Sequence, residues 1–209
     1  EAAPHVAPFM AEKPSRPIDS SGPLPPLESA DKEAETWLDR LFPQGDEDGL
    51  FHQDRLIQRF TLLTHSLTEK KLAIDKMPFK PASGAFLVKT DGDRTYIDPK
   101  NYDRYAPYIR LAETLPVEAA ARAYVRLYPL LQQAYEDLGV SSKSFHHRLL
   151  TAIDHLLETP EVKKEIPLTQ PHVLYHYADP NLEALSSGQK ILVRIGPKNT
   201  AVVKKKLAE

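Results

Sequence analysis

The chain contains no cysteine, which excludes disulfides, a thiol nucleophile and thiolate metal sites. It has no apolar run near the eighteen or so residues a membrane helix needs, so any anchor is expected upstream of Glu1. Charge of one sign is lacking as well. Twenty-seven Lys and Arg against 29 Asp and Glu leave a net charge of -2, a poor match to the many phosphate contacts that drive polyanion binding. What remains is ordinary globular material, 41% apolar and 27% charged.

Proline is plentiful, and its placement sets the domain organisation. Seven of the 19 prolines fall between Glu1 and Leu27, and this opening without methionine reads as part of a longer protein. Residues 1–28 are expected to form an extended arm, and 29–209 one mainly helical domain. A domain of that size buries roughly two-thirds of the surface of its unfolded chain. Within the arm, Pro23, Leu24, Pro25, Pro26 and Leu27 suit polyproline II, a form that docks on aromatic-lined grooves at low entropic cost. The groove is expected on this chain or on a neighbouring copy. Glu1 to about Asp19 carry Val6, Phe9, Met10 and Ile18 between prolines.

Further prolines mark helix starts. Asp98-Pro99, Asp179-Pro180, Thr159-Pro160 and Gly196-Pro197 each place a turn or capping residue before the ring, where the missing N–H costs nothing. Helical periodicity links Leu56, Phe60, Leu63 and Leu67, and again Phe145, Leu149, Ile153 and Leu156 behind the cap Ser144. The longest stripe runs Val117, Ala121, Tyr124, Tyr128, Leu131, Tyr135, Leu138 and closes at Gly139, with Pro129 expected to kink or split it. Phe86 to Val88 and Thr95 to Ile97 flank Asp91-Gly92, a hairpin turn pair. The expected fold is mainly α, an irregular multi-helix bundle with one small β-hairpin.

Four segments carry a resemblance: Leu127 to Tyr135 (LYPLLQQAY), Ala152 to Leu157 (AIDHLL), Tyr177 to Pro180 (YADP) and Leu185 to Lys190 (LSSGQK). From about Pro23 to Leu207 the chain is similar to an uncharacterised proteobacterial family, domain of unknown function 3014. The resemblance implies an N-terminal transmembrane helix, a proline-rich linker and then this domain, hence a membrane-anchored protein on the periplasmic face of the inner membrane. It supplies no activity, cofactor or site residue.

Function must then be weighed residue by residue. Ser187 and Lys190, three apart, match the serine-lysine pair of acyl-enzymes, but no second motif completes them, and Ser186 or Ser187 also suits a helix cap. Gly196, with Lys190, Arg194, Lys198, Lys204, Lys205 and Lys206 around it, resembles a degenerate helix-hairpin-helix in which Arg194 replaces the first glycine. His172 and His176 have i, i+4 spacing without a placed carboxylate, His146-His147 lies elsewhere, and the acids around Gly49 and Gly92 do not continue as calcium loops. No metal or cofactor is expected. Tyr102, Tyr105, Tyr108, Tyr124, Tyr128 and Tyr135 combine an apolar ring with a polar tip, which suits either a core or a partner groove. The leading expectation is a non-enzymatic interaction or structural module whose partner is a protein or another envelope component. An acyl-enzyme or hydrolase using Ser187 and Lys190 ranks second, and weak DNA binding at Gly196 third.

Overall fold

The computed structural model describes residues 22–43, 49–140 and 144–209; Glu1 to Asp19 of the arm and Asp46 to Asp48 lie outside the described residues. Eight α-helices follow in chain order: α1 Asp31–Leu41, α2 Leu56–Ser66, α3 Ala106–Thr114, α4 Val117–Asp137, α5 Phe145–Leu157, α6 Pro180–Glu183, α7 Ser187–Ile195 and α8 Pro197–Ala208. Short 3-10 turns occupy Leu27–Ser29, Ile74–Lys76 and Pro99–Tyr105. The fold is mainly α with a small β element.

Local chemistry explains several of the helix ends. The Asp98 and Asp179 carboxylates accept the backbone N–H two residues on, at 2.9 and 2.8 Å, and so open the Pro99 3-10 turn and α6. Ser144 caps α5 through the His147 N–H. Gly139 lies at φ +70 just past α4, the left-handed position that ends helices. Thr159-Pro160 starts nothing: the Thr159 hydroxyl turns back onto the Leu156 carbonyl at 2.7 Å and closes α5 instead. α2 is capped from a distance, because Asp31 accepts the Arg55 and Leu56 N–H groups at 2.8 and 3.0 Å. Those two bonds hold Arg55 at φ +52, the one non-glycine with positive φ among the described residues.

Two helices depart from their expected patterns. α4 is not split by Pro129 and runs as one 21-residue helix; the carbonyl that loses its partner belongs to Val125, which is exposed to solvent. In α2 the buried face is Leu56, Ile57, Thr61 and Thr64 instead of the stripe through Phe60, which stays 39% exposed. The helix is wedged between α1, α4 and α5, so neighbours on several sides pick its buried face.

The expected hairpin forms, shifted by one residue. β1 (Val88–Asp91) and β2 (Arg94–Ile97) pair antiparallel with Asp91 opposite Arg94, so the two-residue loop is Gly92-Asp93, with Gly92 at φ +56. The hairpin is half of a four-stranded sheet in the order β1-β2-β3-β4. β3 (Pro167–Thr169) adds antiparallel to β2, and β4 (His176–Tyr177) to β3. At three and two residues these strands are too short to show an alternation in sequence. Pro167 is tolerated because it is the first residue of its strand.

Three apolar clusters make the core. Ala34, Leu56, Ile57, Leu130, Leu131, Ala134, Tyr135 and Phe145 join α1, α2, α4 and α5. Ile97, Leu168 and Tyr177 of the sheet, with Ile166 just before β3, pack on Val193, while Ile109, Leu156, Leu192 and Ile195 bring α3, α5 and α7 together. α7 therefore sends Val193 into the sheet cluster and its neighbour Leu192 into a helical one. It stands between those two clusters.

Candidate functional site

The start of α7 carries the residues that most resemble a catalytic motif, and all of them are engaged in joining helices. Ser186 is the N-cap: its hydroxyl oxygen accepts the Gln189 N–H at 3.2 Å, and the Gln189 side chain reaches back to the Ser186 N–H, completing a capping box. That leaves the Ser186 proton for His155 Nε2, 2.9 Å away on α5, while Gln189 Nε2 donates to the His155 carbonyl at 3.1 Å.

The next two amides cross to the turn that follows α2. Ser187 N–H donates to the Glu69 carbonyl at 2.7 Å and Gly188 N–H to the Leu67 carbonyl at 2.9 Å. The Ser187 hydroxyl donates to the Ser66 carbonyl at 2.7 Å. Orphan donors of one helix thus meet orphan acceptors of another, positive dipole end against negative end. The approach is so close that a Cβ on Gly188 would lie 2.6 Å from the Leu67 oxygen.

Lys190 is turned to a different task. Its ammonium sits 2.5 Å from Glu183, whose carboxylate also accepts the Tyr177 N–H at 2.9 Å and faces His176 Nδ1 at 3.3 Å. Burial raises the Glu183 pKa, but Lys190, the Tyr177 amide and His176 outweigh it and hold the carboxyl below its ordinary range. Tyr177 donates its hydroxyl to the Lys190 carbonyl, and burial pushes that phenol up to about 12. Ser187 and Lys190 therefore point their polar atoms at separate structural partners. Neither lines the groove beside Phe42, Phe51 and Leu56 or the one beside Leu27, Arg55 and Leu138.

The six tyrosines divide into two sets. Tyr102 covers Gly196, Tyr105 packs on the cluster of Ile109 and Ile195, and Tyr108 donates to the Lys80 carbonyl at 2.7 Å with its ring edge on Phe79. Tyr124, Tyr128 and Tyr135 belong to the α4 cluster. There Tyr124 shares a 2.8 Å hydrogen bond with His146 Nδ1, Tyr128 donates to Gln132, and Tyr135 is buried at 4% exposure. Burial raises the Tyr124 phenol above its ordinary pKa, with Tyr128 adding to the effect.

The described end of the arm joins the second set. Leu27 is buried and Leu24 half-buried against the cluster that holds Leu127, Tyr124 and Tyr128. Pro26, at φ -56 and ψ 150, has polyproline II geometry. Arg126 of α4 donates to the Gly22 carbonyl at 3.1 Å and also pairs with Glu33 of α1. The boundary placed after residue 28 falls inside the Leu27–Ser29 turn, so the last arm residues pack with the helical body.

Two lysines of the basic C-terminal cluster are similarly occupied. Lys204 donates to the Thr159 carbonyl beyond α5 at 2.6 Å, and Lys206 to the Leu115 carbonyl beyond α3 at 3.3 Å, each placing a cation at a helix C-terminus. Gly196 does turn the chain between α7 and α8, but the Tyr102 ring covers it, and Asn199 Nδ2 bridges the Ile195 and Tyr102 carbonyls. Arg194 lies 5.9 Å over the Phe86 ring.

His172 and His176 do not share a helical face, because His172 lies in the loop from β3 to β4 and His176 opens β4. His172 is exposed and His176 meets Glu183. Among the described residues no group of three His, Asp or Glu is placed to hold a metal ion, and no helix is long and apolar enough to cross a membrane.

Sequence reasoning passed over the tip of that loop. Val173 is 86% exposed and Leu174 72%, adjacent apolar residues standing in solvent. Beneath them Tyr175 lies against Phe86 with ring centroids 5.9 Å apart. The available signal was an apolar pair with no helical or strand period around it.

No curated protein and no solved structure matches the chain. A family model described as "Protein of unknown function (DUF3014)" matches residues 56–209, starting at the first residue of α2, later than the Pro23 read from the resemblance. The match covers well over half of the 209 residues, and the chain belongs to that family.

Proposed function

We propose that this domain is a non-enzymatic interaction or structural module of the bacterial cell envelope, attached through its proline-rich stretch to a membrane anchor upstream. The family resemblance supports the location. The non-enzymatic part is supported by the hydrogen bonding of Ser187 and Lys190, whose polar atoms serve α2 and Glu183 in place of one another.

The observation that carries the interaction reading is the tip of the β3–β4 loop. Val173 and Leu174 are the most exposed large apolar residues among those described. The Tyr175 and Phe86 rings and the ties of Glu183 to His176 and Tyr177 hold the base of the loop. A fixed base with a protruding apolar pair is the form of an anchor that a partner desolvates on binding. The expected partner is a protein or envelope component with an apolar recess.

A photo-crosslinking residue placed at Val173 in native membranes tests this, with Glu118 on α4, whose side chain is 95% exposed, as the control position. The reading expects a discrete crosslinked species from position 173 that is absent from position 118. Identical patterns from the two positions would overturn it.

A further inference from the structure

α2 ends in a buried polar contact that none of the preceding roles uses. The His65 carbonyl accepts a hydrogen bond from Arg148 Nη2 of α5, and the same guanidinium reaches Glu69 at 2.8 Å. The His65 ring stands 6.2 Å from the Tyr135 ring of α4. Its Nδ1 is buried without a hydrogen-bond partner, as is Arg148 Nε. The charged groups acting on the ring are Arg148 from α5 and Glu69 from the segment after α2, and the α4 ring beside it is Tyr135.

We propose that His65 and Arg148 form an acid-sensitive latch that holds the end of α2 closed onto α7. When the imidazole is neutral, Arg148 bonds the His65 carbonyl and pairs with Glu69, and the carbonyls of Ser66, Leu67 and Glu69 are held in place for Ser187 and Gly188. A proton on His65 sets a second cation against Arg148 in a partly buried site. Glu69, about half exposed, opposes both only weakly. The strain falls on the turn from residue 65 to 69 that receives α7, so acid loosens the union of α2 and α7 there before it unfolds the core.

The direction agrees with the ring's own titration. Burial, and secondarily Arg148, lower the His65 pKa from its ordinary value. The unfolded chain then binds the proton more readily, so the full stability is present above the ordinary histidine pKa and is lost as pH falls toward the lowered one. In a compartment open to the medium the latch would respond to external acidity.

Amide exchange at Ser187 and Gly188, whose N–H groups make the joint, reads the latch locally. Their protection factors are expected to fall about threefold or more from about pH 7.5 to about pH 5.5, and clearly less in His65→Gln. An equal fall in both proteins would overturn the proposal. Because His65→Gln also removes a packed ring, an NMR titration of His65 in the wild-type protein gives an independent decision. A midpoint below the ordinary histidine value that rises in Arg148→Gln is expected, and a midpoint at or above that value, or one unmoved by Arg148→Gln, would contradict it.

Discussion

The Ser187 hydroxyl donates to the Ser66 carbonyl at 2.7 Å across 121 residues of sequence, and the backbone beside it leaves no room for a side chain at Gly188. A Cβ there would lie 2.6 Å from the Leu67 oxygen and 2.8 Å from a Leu156 methyl. Since one of those atoms is backbone, Gly188→Ala should force the α2 and α7 ends apart and cost about 1–3 kcal/mol. Urea unfolding at neutral pH measures this. Ser187→Ala, which leaves the Ser66 carbonyl without its second donor, should cost about 1 kcal/mol.

Tyr102 and Gly196 form a second close approach, with the ring 2.6 to 2.8 Å from where a Cβ on Gly196 would stand, and with Gly196 at φ +90. Gly196→Ala therefore meets both a clash and a backbone strain of about 1 kcal/mol or more. Tyr102→Ala in the same chain should relieve the clash and leave the strain. The double variant is expected to be less destabilised than the two single losses added together, and strict additivity in a double-mutant cycle would show that the contact is not felt.

How far these contacts were legible in the sequence depended on how local they are. Asp179-Pro180, Ser144 and Gly139 act within a turn of their own helix, and a sequence shows such signals. Gly188 reads as part of a serine-lysine motif until Leu67 is brought beside it. The six tyrosines read as one group because they are near in sequence, but the break between α3 and α4 sends Tyr102, Tyr105 and Tyr108 one way and Tyr124, Tyr128 and Tyr135 another. β3 takes its register from β2, and β4 from β3, rather than from any pattern of their own. Val173 and Leu174 were missed for the opposite reason, since exposure is a property of what fails to pack on them.

The docked end of the arm gives a third prediction. Leu27 is 5% exposed in the α4 cluster, and burying a leucine contributes about 1.5–3 kcal/mol. Leu27→Ala is expected to lower stability by about 2 kcal/mol or more. Removing residues 1–27 should do at least as much, because it also takes Leu24 and the Gly22 carbonyl bonded by Arg126. Thermal unfolding of the truncated and full chains compares them, and an unchanged midpoint would reduce the arm to a spacer.

Ser187 as a joint between helices, and not a nucleophile, is the claim on which the non-enzymatic reading depends. Mass spectrometry of the folded protein after exposure to a fluorophosphonate and to a β-lactam probe tests it most directly. With its proton given to the Ser66 carbonyl and Lys190 held by Glu183, Ser187 is expected to remain unmodified by either reagent. A covalent adduct on Ser187 that is lost in Lys190→Met would contradict that claim and establish the acyl-enzyme reading in its place.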